Sequence, residues 1–215
     1  MNKLGLLLAL IGLPFLPNCS CVYFARPPHS EPLEASIVIS SEEPFIHTET
    51  GISFPLHAGE FKRVRVEQFD EEAYDVAVGY QERTPQGDID VTLYLAPGPT
   101  LMSGMGNRPQ DQQLAFLEEA LEGGKQGLLL VNPESTVDSE GPSSLIAGHQ
   151  GLCTFFSVPR TSAFGDTTVG VETHVFIVDT LWFLKVRASY APACRELARV
   201  RMKELIEEIN LPEGN

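Results

Sequence analysis

Glu172 and His174 stand two residues apart in the run 169–178, and Phe176 and Val178 continue the same spacing. In a strand this spacing puts all four side chains on one face, where a carboxylate and an imidazole can share a proton. Lining an open cleft, the pair could do acid–base work in a small secreted hydrolase or ligand-binding protein. Covered by a helix, as Phe176 and Val178 invite, the histidine would be satisfied by hydrogen bonds inside the fold. His47-Thr48-Glu49 holds two ligand types and alone supplies at most two metal ligands. Glu134, Asp138 and Glu140 share one polar stretch whose spacing matches no EF-hand loop, so it reads as solvated acidic surface. The chain has no GxSxG elbow, HExxH, P-loop or GxGxxG. Ser103-Gly104-Met105-Gly106 lacks a lysine and reads as loop. No cofactor and no metal is expected.

Cys153 and Cys194 lie 41 residues apart, in neither a CxxC nor a Cys/His zinc spacing. In an oxidising compartment they could pair, with a loop-closure contribution of about 3–4 kcal/mol. The alternative is two buried thiols acting as small apolar residues, and Cys194 falls on the apolar stripe of a helix. Among the charged residues, Lys185 and Arg187 form the outward side of one strand pattern, and Arg63 and Arg65 fall in another. If the sheet brings these strands close, the four make a basic strip, a candidate docking surface for a partner. The strip would stand in an acidic chain, with 15 Lys+Arg against 29 Asp+Glu and a net charge of -14. That balance excludes the basic footprint of a nucleic-acid binder.

The N-terminus carries a different kind of chemistry. Lys3 precedes 13 almost wholly apolar residues, 4–16, the length of a signal-peptide core and short of the roughly 20 needed to span a membrane. Pro14 and Pro17 would break a spanning helix. Leu16-Pro17-Asn18-Cys19 places a leucine three residues before a cysteine, as in bacterial lipoprotein signals, so residues 1–21 read as a lipoprotein-like signal peptide with Cys19 as the lipidated residue. Plain cleavage after Cys21 is the alternative. Lys3 is the only charged side chain in 1–21, so cleavage leaves 14 basic and 29 acidic groups, net -15. Residues 22–50, with Pro27, Pro28 and Pro32, read as a tether and loop.

The elements that must position these groups lie in 51–211, which reads as one domain, with a short extra strand expected at 35–40. Val64, Val66 and Phe69, then Val76, Val78 and Tyr80, then Ile89, Val91, Leu93 and Leu95 alternate with polar or small residues, an antiparallel meander. Pro109 opens a helix with Leu114, Leu117 and Leu121 on one stripe, and Gly123-Gly124 is expected to stop it. Residues 128–131 suit either a short strand or a longer helix, and 132–144 a polar loop. A strand over 152–158 should end at Pro159. Val169, Val171, Val175 and Ile177 make the next, Asp179-Thr180 a turn, and Trp182, Leu184, Val186, Ala188 and Tyr190 the last. Pro192 then starts a helix whose stripe is Cys194, Ala198, Met202, Leu205 and Ile209. The fold class is α+β: an antiparallel sheet of about six or seven strands with a middle helix and a C-terminal helix.

The order of these elements, opened by Gly51-Ile52-Ser53-Phe54-Pro55, is similar to the PsbP-like fold. The stretches Gly59-Glu60-Phe61-Lys62-Arg63, Val76-Ala77-Val78-Gly79-Tyr80, Val91-Thr92-Leu93-Tyr94-Leu95 and 183–190 resemble a group of uncharacterised exported bacterial proteins. The resemblance covers about two thirds of the chain. It implies an extracytoplasmic binding or assembly module without cofactor chemistry, and carries over no active-site residue. The expectation is therefore an exported, lipid-anchored, non-enzymatic protein of the periplasm or cell envelope. It would bind or support an envelope protein and touch the membrane through the Cys19 lipid. A small hydrolase or ligand-binding protein using Glu172 and His174 is the alternative.

Overall fold

The strictest alternation in the chain, Ile89 to Leu95, forms the middle of a sheet that nearly every other element extends or covers. A computed structural model describes residues 37–39, 42–98, 110–162, 165–178 and 182–212. The expected signal peptide with Cys19, most of the expected tether, the 103–106 glycine run and the expected 179–180 turn lie outside the described residues. The strands are β1 (Ile37–Ile39), β2 (Phe45–Ile46), β3 (Ser53–Phe54), β4 (His57–Ala58), β5 (Phe61–Gln68), β6 (Val76–Thr84) and β7 (Gly87–Pro97), followed by helix α1 (Gln110–Val131). Then come β8 (Thr136–Pro142), β9 (Gly151–Ser162), β10 (Gly165–Val178), β11 (Trp182–Tyr190), a short 3₁₀ turn (Pro192–Cys194) and α2 (Arg195–Glu208). No described helix is long and apolar enough to cross a membrane.

The main sheet runs β1-β5-β6-β7-β11-β10-β9-β8, with β4 also paired to β5, and β2 pairs with β3 separately. Every pairing is antiparallel. The α+β class stands; the strand count does not, since nine described strands join the main sheet. The extra ones are β4, only two residues long, and β8, whose residues are almost all exposed. An edge strand wet on both faces has no reason to alternate, so 132–144 reads as a loop. Its Gly141 and Pro142 suit such an edge.

Alternation divides the sheet into two faces. On one lie Val76, Val78, Tyr80, Ile89, Val91, Leu93, Leu95, Leu184, Val186 and Ala188, packed with Ala198, Met202, Leu205 and Ile209 of α2 into the main core. On the other, α1 packs on β9 and β10 in two smaller clusters, Leu117, Leu121, Val175 and Phe183, and Leu128, Phe156, Val158 and Val171. Those clusters carry α1 through Gly123-Gly124 to Val131, correcting the expected stop. Two glycines cost a helix about 1 kcal/mol each, which burial of Leu128 beyond them offsets. Pro159 does not end β9 either: β8 pairs only as far as Ser157, so the proline meets a single neighbour, Thr168 of β10.

A bulge between Arg63 and Arg65 shifts the pairing of β5 with β6, leaving Val64 exposed and turning Arg63 inward beside Phe61 and Val66. Residues before 51 also join the fold: Phe45 packs on the core, His47 is buried, and β1 pairs with β5.

Candidate functional site

The β10 register sets Glu172 opposite Ala188 and Phe155, and His174 opposite Val186 and Cys153, on the face that α2 covers. Glu172 is 0% exposed and His174 6%, so the pair is covered rather than set in an open cleft. His174 Nε2 lies 3.3 Å from Glu172 Oε2. Its other nitrogen, Nδ1, lies 2.7 Å from the hydroxyl of Ser143, which is half-buried just past the end of β8. Ser143 is held from both sides: its N–H donates to Gly151 O, and the Leu145 N–H donates to its Oγ at 3.3 Å. The imidazole meets Phe155 edge-on at 5.8 Å and Phe176 in parallel at 6.4 Å. Gly151 is required here, because a Cβ on it would come within 2.2 Å of the Phe176 ring.

This arrangement is a hydrogen-bonded chain from hydroxyl to imidazole to carboxylate. If Nε2 carries the imidazole proton and donates it to Glu172, Nδ1 keeps its lone pair for the Ser143 hydroxyl. The surroundings are mixed in charge. Burial pushes the Tyr190 hydroxyl pKa up, and the Glu172 charge adds to the effect. The Cys153 thiol is pushed up for the same two reasons, with Arg199 opposing, which keeps it a neutral thiol. Arg195 and Arg199 of α2 stand over the Phe155 ring at 5.3 and 4.9 Å.

The other candidate groups do not converge on this chain. Cys153 and Cys194 are both buried free thiols, so the pairing alternative is corrected. Cys153 Sγ faces Pro142 O at 3.5 Å, whereas Cys194 Sγ sits 3.6 Å from Thr84 Oγ1 at the β6–β7 turn. Each takes the role of a small apolar core residue. His47 Nδ1 bonds Thr50 Oγ1 at 2.9 Å and its ring meets Trp182 edge-on at 4.7 Å, a core histidine. No group of three or more His, Cys, Asp and Glu among the described residues could hold a metal ion. In the acidic stretch, Glu140 pairs with Lys125 at 3.0 Å and Asp138 accepts from Ser157 at 2.9 Å.

The basic strip is realised in part. β6 and β7 separate β5 from β11, so the two arginine- and lysine-bearing strands are not adjacent. Arg63 leaves the strip altogether: the bulge buries it on the α2 face, where its guanidinium donates to Phe54 O and, at 2.6 Å, to Glu43 O. Arg65, Lys185 and Arg187 share the opposite face. Arg65, Gly79, Thr92 and Arg187 form one cross-strand row, spanning three strand spacings, roughly 14 Å. A Cβ on Gly79 would come within 2.9 Å of Arg65 Cγ, so the glycine lets that side chain lie across β6. Arg65 pairs with Glu67 at 3.2 Å, and Lys185 Nζ sits 4.1 Å above the Tyr94 ring.

Ser143 is the residue that sequence reasoning missed. It lies in a polar run without a motif, and only the β8–β9 register, which sets Pro142 opposite Leu152, brings it near β10. No family model and no curated protein matches the chain. Among solved structures, a protein of unknown function from Pseudomonas aeruginosa is similar at 12% identity, over 73% of this chain and all of that one, with a TM-score of 0.44.

Proposed function

We propose that the protein is exported, held at the membrane by a lipid on Cys19, and binds or supports an envelope protein that presents an acidic surface. The supporting observation is the placement of Arg65, Lys185 and Arg187 on one sheet face of a chain whose net charge is -14. Glu67 and Asp90 share that face with them, and the surplus of positive charge around Lys185 and Arg187 would orient an encounter with an acidic partner while the rest of the surface repels it. The lipobox-like Leu16 to Cys19 segment and the prolines after it support the tethered location.

Crosslinking in native membranes followed by detergent pull-down tests the docking role. The wild-type chain should return one stoichiometric partner, released by raised salt, and Arg187→Glu should lose it while keeping the wild-type circular dichroism. A stoichiometric partner retained equally by Arg187→Glu, or none at all, would overturn it. The anchor is tested separately by intact mass: an acylated Cys19 supports it, and a chain starting near Val22 refutes it.

A further inference from the structure

We infer that Ser143 is a nucleophile for acyl transfer, with His174 as its base and Glu172 as the residue that positions His174, and that the substrate class is a carboxylic ester. This goes beyond the docking role and does not rest on it. The hydroxyl lies 2.7 Å from His174 Nδ1, and His174 Nε2 lies 3.3 Å from Glu172 Oε2. A nucleophile within reach of a base that a third group orients is the general signature of an activated hydroxyl, whatever the chain order. Glu172 and His174 are covered, and Ser143 is the least buried member of the three. The Leu145 N–H, which donates to Oγ at 3.3 Å, helps hold the hydroxyl beside its base.

In the reaction, Ser143 Oγ attacks the ester carbonyl carbon and its proton passes to His174 Nδ1. The carbon–oxygen bond to the alcohol breaks, and the alcohol leaves with that proton. Water then attacks the acyl-serine, gives a proton to His174, and the carbon–Oγ bond breaks. The acid is released and Oγ recovers its proton, so ester and water become acid and alcohol.

The test uses the full chain with p-nitrophenyl acetate and a small fluorophosphonate. Folded wild-type protein should release p-nitrophenolate faster than Ser143→Ala, and peptide mass spectrometry should place the fluorophosphonate adduct on Ser143, with the adduct lost after heat unfolding. His174→Gln should slow release by about 100-fold. Glu172→Gln should still label at Ser143, more slowly, and should move the pH–rate profile, which a merely structural carboxyl would leave in place. The wild-type adduct decides the matter even where a variant fails to fold. No adduct on Ser143 in folded wild-type protein, or release equal to that of folded Ser143→Ala, overturns the assignment.

Discussion

The two faces of the sheet are built from the same alternation and end up differently. The α2 face has one continuous core, closed by a helix with an unbroken apolar stripe and, at one end, by the segment carrying Phe45, His47, Ile52 and Phe54. The α1 face has two small clusters, and beyond them β5, β6, β7 and β11 carry Arg65, Gln81, Thr92, Lys185 and Arg187. Cohesion is therefore concentrated on one face, and chemical variety at the surface on the other. A fold arranged this way can change its outer residues on the α1 side at little cost to stability.

The largest expected effect probes the deeper face. Met202→Ala removes a fully buried side chain from α2 and should cost about 2–5 kcal/mol in urea unfolding. Leu121→Ala, from the smaller cluster under α1, should cost less, near the low end of that range, because its surroundings can collapse more readily. Equal losses would erase the distinction between the faces.

Next comes acid. Burial lowers the His47 pKa from 6.5, so the folded chain holds that proton less readily than the unfolded chain does. The contribution is intact above pH 6.5 and is lost as pH falls below it, by at most about 1.4 kcal/mol per pH unit. His47→Gln should flatten that part of the stability profile relative to wild type; parallel profiles would show that the α2 face does not depend on a neutral His47. The smallest effect should be a gain. Gly124→Ala places a methyl where nothing lies within 4 Å, and should stabilise α1 by about 0.5–1 kcal/mol in thermal unfolding. A loss there would mean that the glycine pair is needed for a bend in α1.

What could be read from the residues follows the same division. The meander, β11 and α2 were legible because one side of each is buried and the other is not, so Ile89 to Leu95 and Cys194 to Ile209 carry their period openly. β8 was not, because nothing buries it. α1 beyond Gly124 was not, because Leu128 is held by residues from β9 and β10 that the local sequence does not contain. The bulge at Val64 moved Arg63 from the expected docking strip into the core, since one extra residue exchanges the faces of everything before it. At the candidate site, the Glu172 and His174 spacing was visible on a single strand. Ser143 comes from a separate segment and became visible only through strand pairing.

The buried Arg63 fork has a mechanical consequence. The chain N-terminal to residue 37 leads into β1 at the sheet edge, and Arg63 grips the carbonyls of Glu43 and Phe54 on the segment that follows. A steady pull on that leader along the strand would load the three β1–β5 rungs together, in shear. Only after they parted would the load reach the guanidinium clamp and, behind it, the core. Two successive catches would thus stand between a tug at the leader and the unravelling of the domain.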